Sequence, residues 1–132
     1  MTQASNARWC ILLLTCGGLF GQFYAYDNPS ALNEQLREVM GVEEYQYYFN
    51  LIYSVYSFPN LVLPLVMGVL MDWFGYRALV CVLAACVVLG HALVSTGVTQ
   101  ASWPLVIAGR VLFGVGGESI QVAQCCLLLR WF

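Results

Sequence analysis

Apolar residues in this chain come in long runs rather than in alternation. Four runs, at about 9–27, 45–72, 78–96 and 103–130, each approach or exceed the roughly 20 residues that a helix needs to cross a hydrocarbon core of about 30 Å. Polar residues gather between the runs, chiefly at 28–44, with short connections near 73–77 and 97–102. The pattern predicts four membrane-spanning helices and an all-α, polytopic membrane protein.

The first run begins with Arg8 followed by CILLLTCGGLF, which has the charge and apolar stretch of a signal peptide, and Leu13–Cys16 loosely matches a lipoprotein cleavage site with Thr15 a poor fit. It continues apolar and aromatic through Phe23, Tyr24 and Tyr26, which suits a retained helix. Gly17 and Gly21, and Gly18 and Gln22, stand four apart and predict a face for close helix packing. Pro29 predicts the end of the span, because proline disfavours helix in the residue before it. Ser30 then caps a short segment with Leu32, Leu36, Val39 and Met40 at helical spacing, ended by Gly41. That segment is an amphipathic helix at the outer surface or a continuation of the first span. Asp27 closes the span near the outer interface, where an acid can face a cavity mouth.

From Tyr45 to Met71 the second run would be about 40 Å long as a straight helix, at 1.5 Å per residue. It must tilt, kink or protrude, and Pro59 and Pro64 supply kinks. Tyr45, Tyr47 and Tyr48 predict an interfacial aromatic belt. Asn50, Tyr53, Ser54, Ser57, Asn60 and Pro64 fall within about 120° on a helical wheel, a polar stripe that faces other helices or a water-filled path. Asn50, Tyr53 and Ser57 are therefore candidate solute contacts. The third run is the most lipid-like, with one histidine, His91, that either bonds a neighbouring helix or carries a proton.

Composition agrees with the pattern: 61% of the residues are hydrophobic and 9% charged, against about 25% charged in ordinary soluble domains. The formal charge of −2 says little, but its distribution orients the chain. Arg8, Arg77 and Arg130 fall on one side, while Arg37 is outnumbered by Glu34, Glu38, Glu43 and Glu44 on the other. Positive residues favour the cytoplasmic face, so the N-terminus is expected there. All six cysteines sit inside the runs, as small apolar packing residues, and no spacing suggests a metal site, a cofactor or a nucleic-acid partner.

The fourth run carries the costliest side chains. Arg110 and Glu118 lie well inside it, where an unpaired charge costs at least about 2.5 kcal/mol. Eight positions correspond to about 12 Å of rise and 80° of rotation, too far for an ion pair within one helix. Each needs a partner elsewhere. Glu118 falls near the midplane, the depth at which transporters bind solute, and Arg110 lies nearer the outer side. Both, with Asp27, are candidate substrate-binding residues, a buried structural salt bridge being the alternative for Glu118 and Arg110. Gly114, Gly116 and Gly117 thin the helix for close packing or for a ligand.

Between the second and third runs, Gly68-x-Leu70-x-Asp72-x-x-Gly75-x-Arg77 resembles the signature loop of the major facilitator superfamily, in which Gly68, Asp72, Gly75 and Arg77 would serve conformational change. Trp73 and Tyr76 stand at positions that are usually basic there. Arg110-x-x-Phe113-Gly114-x-Gly116 resembles that superfamily's fourth-helix signature, with Phe113 where a glutamine is common, a substitution that weakens any inference of proton coupling. The blocks YDNPSAL from Tyr26, YSVYSFPNLVL from Tyr53 and GRVLFGVGGESIQVAQ from Gly109 together resemble the major facilitator superfamily domain-containing protein 1 family.

That resemblance implies the start of a twelve-helix transporter of lysosomal or endosomal membranes, moving dipeptides as a uniporter beside a glycosylated accessory subunit. It also implies that Glu118 binds peptide, with a further arginine in a fifth helix. On this reading residues 1–132 are the N-terminal part of a transporter domain, truncated and inactive alone, and not an enzyme. Two other readings stand: a proton-coupled sugar or anion transporter of the same superfamily, and a four-span adaptor that transports nothing.

Overall fold

The computed structural model describes residues 2–41 and 43–132, with side chains described for all of these except residues 2–6, 130 and 131. The first span is the helix α1 (Thr2–Ala31). It runs through Pro29 instead of stopping there, and Leu32, not Ser30, occupies the position that caps the short helix α2 (Asn33–Met40). The Leu32 amide bonds the Asn28 carbonyl at 3.1 Å and the Leu36 amide bonds Leu32 at 2.8 Å, so one residue separates the two helices. Proline removes one rung of the ladder. In an apolar medium, opening the remaining rungs would cost more, because no water replaces them. Gly41, at φ 87°, ends α2 as expected.

The second span is broken. Helix α3 (Tyr45–Ser57) passes through a 3-10 turn at Pro59–Leu61 into α4 (Leu63–Phe74), and the two parts are bent by 51°. Pro59 opens the turn and Pro64 opens α4, so both prolines act at first-turn positions, where a missing N–H is harmless. Helix α5 (Tyr76–Thr99) follows after the single residue Gly75, whose φ of 78° and ψ of 143° suit only glycine. Helix α6 (Trp103–Trp131) completes the chain. Among the described residues three helices are long and apolar enough to cross a membrane, and the bent pair, taken as one span, gives a fourth.

Helix α6 touches α1, α3, α4 and α5, and most extensively α5. Two apolar layers lie along it. Near the end carrying α2, Ile52, Val94 and Val106 are buried; near Gly75, Met67, Leu79 and Leu83 are. Glycines set the α6 contacts. A Cβ added at Gly90 would lie 2.5 Å from the Phe113 nitrogen, at Gly109 2.7 Å from the Gly90 oxygen, and at Gly116 2.6 Å from the Leu83 oxygen. On another face, a Cβ at Gly114 would lie 2.5 Å from the Tyr56 carbonyl oxygen. Backbone therefore meets backbone on two sides of α6, which is how helices associate where lipid removes the hydrophobic drive.

Three sequence expectations change here. The aromatic belt is a clasp: Tyr45 is 3% exposed, its hydroxyl donates to the Asn33 side chain at 2.7 Å, and Tyr48 stacks on Trp103 at 4.9 Å, leaving Tyr47 exposed. In the first span, Gly18 packs against the Gln124 amide, but a Cβ at Gly17 or Gly21 would meet nothing within 4 Å. The cysteines are all free thiols, with Cys10, Cys16, Cys81 and Cys125 exposed on helix surfaces rather than packed inside.

Candidate functional site

Between the two apolar layers lies a belt of aromatic and polar side chains. Its centre is Arg110, 1% exposed. Both terminal guanidinium nitrogens donate to the Tyr26 backbone carbonyl at 3.4 Å, which is long for an N–H···O bond. The rings of Tyr53 and Phe113 flank the guanidinium carbon at 5.7 and 5.6 Å, within the range of a cation–π contact. Nε has no partner, and among the described residues no carboxylate pairs with Arg110. The partner demanded by the sequence is thus a carbonyl and two rings. Phe113, where the resemblance leads one to expect an amide, supplies one of those rings and also lies 6.0 Å from the His91 ring.

Tyr26 links the belt. Its ring meets Tyr53 edge-on at 5.6 Å and Tyr56 at 4.7 Å, and Tyr56 continues to Phe113 at 5.5 Å. Helical spacing explains the alignment: Gln22 and Tyr26 are four apart on α1, and Tyr53 and Tyr56 three apart on α3. Asn60, in the 3-10 turn that follows α3, donates from its side chain to the Tyr56 carbonyl at 3.3 Å.

Glu118 is half-buried, one residue beyond Gly117. A Cβ added at Gly117 would lie 2.9 Å from the Tyr56 hydroxyl and 3.4 Å from the Gln22 amide nitrogen, so glycine makes room for that polar pair beside the acid. Among the described residues the Glu118 carboxylate accepts no hydrogen bond. Side-chain oxygens of Gln22, Asn60, Ser119 and Gln124 are buried without partners. Such atoms are costly to leave unpaired, so this part of the belt has unused capacity for donors. Gln22 and Gln124 also line a groove of about 230 Å³ between α1, α5 and α6.

The remaining predicted residues divide. Tyr53 joins the belt, with Asp27 exposed near it at the end of α1. Asn50 and Ser57 lie on the same side of α3 as Tyr53 but are exposed, and the Ser57 and Ser54 hydroxyls bond back to Tyr53 and Asn50 carbonyls at 3.0 Å. The predicted stripe is split by the bend, with Asn60 half-buried just before it and Pro64 half-buried beyond. Gly68, Asp72 and Gly75 line an open cleft of about 530 Å³ with Tyr76 and Cys126, whereas Arg77 is exposed outside that lining. The sequence reading missed Tyr26, Gln22 and Tyr56 as members of the belt. Their spacing was visible, but which faces meet is decided by the glycine contacts of α6.

No solved structure matches the chain. It is 39% identical over 127 residues to the lysosomal dipeptide transporter MFSD1 of Homo sapiens and to that of Bos taurus, and 35% identical over 126 residues to that of Danio rerio. These matches cover 95% of this chain but only 26–27% of the relatives, so the chain spans about a quarter of their length. Residues 9–124 match the model of the sugar (and other) transporter family. With that match running through all four spans, the chain belongs to the sugar (and other) transporter family of the major facilitator superfamily.

Proposed function

We propose that this chain forms part of a transporter that moves short peptides across a membrane by alternating access, with Glu118 binding the substrate's amino group. The observation that carries the reading is a carboxylate inside a membrane helix that accepts no hydrogen bond from the described residues, one position from the contact of Gly117 with Tyr56 and Gln22, whose amide oxygen is buried and unpartnered. An ammonium group brings three donors to such a place. The similarity to dipeptide transporters supports the choice of substrate. Tyr53, Asp27, Asn50 and Ser57 form the wall toward the α2 end, with Arg110 behind it, and Gly68, Asp72, Gly75 and Arg77 serve the conformational change. The lysosomal membrane, a cytoplasmic N-terminus and a glycosylated accessory subunit belong to the same proposal.

Uptake of a labelled dipeptide into proteoliposomes by the full-length protein tests it. Glu118→Gln keeps the shape and removes the charge, and transport is expected to fall at least tenfold; undiminished transport would exclude this role. The sugar transporter family match favours a second reading, proton-coupled sugar or anion transport. That reading gains if uptake ignores peptides and collapses with the pH gradient.

A further inference from the structure

We infer that Arg110 is a latch between α1 and α6, a positioning residue of the path rather than a group that meets the solute. Its functional half rests on the transport reading above. An arginine that captures a solute anion must present its guanidinium to a cavity. Arg110 is 1% exposed and lines neither the groove at Gln22 and Gln124 nor the clefts at His91 and Asp72.

What it does meet is backbone. Tyr26 lies three residues before Pro29, inside the turn that the proline disturbs. The ring leaves the Ala25 carbonyl, one residue before Tyr26, without its amide donor and crowds that turn of α1. A membrane offers no water to such a carbonyl. The two Arg110 nitrogens converge on the adjacent Tyr26 carbonyl, while the rings of Tyr53 and Phe113 flank the guanidinium carbon. The bonds are long at 3.4 Å and Nε is unused. A spare donor at Nε lets the guanidinium exchange partners, as a latch requires.

The latch also links helix position to the site. Tyr26 carries the carbonyl on its backbone and the contacts to Tyr53 and Tyr56 on its ring. Release of the carbonyl lets the last turns of α1 swing, and the ring leaves the wall that α3 presents.

The test uses the full-length protein in lipid, with its cysteines replaced and nitroxide labels at Ser30 and Gln100, both exposed, at the ends of α1 and α5. Arg110→Gln is expected to shift the label distance to longer and broader values. Pro29→Ala returns an amide donor to the Ala25 carbonyl and stiffens the last turns of α1, so in that background the same substitution is expected to shift it less. An unchanged distance in Arg110→Gln overturns the latch. Should that variant fail to accumulate, Phe113→Leu removes one flanking ring and is expected to give a smaller shift of the same sign; no shift overturns the proposal.

In transport, Arg110→Gln is expected to lower the maximal rate roughly tenfold, the scale of a typical coupling between sites, at unchanged KM. A raised KM at unchanged maximal rate overturns the latch by making Arg110 a solute ligand. Failure of the unsubstituted protein to move any dipeptide would sink the transport reading, and the label distances alone would then decide the latch.

Discussion

Helices α5 and α1 both pack on α6, by opposite means. Between α5 and α6 the contact is backbone on backbone, with Gly90 against Gly109 and Phe113, Gly97 against Val106, and Gly116 against Leu83. Between α1 and α6 it is side chain on backbone: the Gln124 amide over Gly18 and the Arg110 guanidinium on the Tyr26 carbonyl. The first kind has no rotamers to adjust. The second kind can lengthen, tighten or exchange partners by torsion about side-chain bonds. A bundle built this way has a fixed pair and an adjustable helix, and the candidate site lies on the border between them.

Substitutions can break that comparison. The largest effect is expected at Gly109→Ala, where the new methyl would lie 2.7 Å from the Gly90 oxygen and the Val94 nitrogen. A destabilisation of about 1–3 kcal/mol follows from overpacking, read as a lowered melting temperature of the full-length protein in detergent. Gly75→Ala comes next. Its φ of 78° places a side chain where L-residues are strained, at about 1–3 kcal/mol, measured in the same way. Tyr45→Phe deletes the hydroxyl that bonds Asn33 at 2.7 and 3.0 Å, a loss of about 0.5–1.5 kcal/mol. Faster amide exchange confined to residues 33–40 would report it. Gly17→Ala, with open space at the added methyl, is expected to change stability by less than about 0.5 kcal/mol. If Gly17→Ala melted as early as Gly109→Ala, the distinction between fixed and adjustable contacts would fail.

Much of this was legible beforehand. Apolar run length picked out, among the described residues, the three helices long enough to cross a membrane and the bent pair, and Pro59 and Pro64 marked the break in that pair. The need of Arg110 for an external partner was equally plain. The partner itself was not, since a backbone carbonyl has the same formula at every residue and only helix register selects Tyr26. Pro29 misled for a related reason: its local preference is to end a helix, but the medium penalises unpaired backbone more than proline penalises the turn. Tyr45 and Tyr48 were read as interfacial anchors because their composition fits that role. Their contact with Trp103 depends on the ends of α3 and α6 meeting, which no pattern along one helix reveals.

The join at Gly75 has a mechanical consequence. Between the last residue of α4 and the first of α5 stands one amino acid, so only a single pair of soft backbone torsions is available to change the angle between them. A longer linker would spread a rotation over many torsions and transmit little torque. Here a turn of α5 about its axis is delivered almost whole to α4, through a pivot that also borders the cleft of Asp72. The span that looks most interrupted, split at residues 58–62, thereby has one half geared to the rigid α5–α6 pair, and its other half, α3, left to carry Tyr53 and Tyr56.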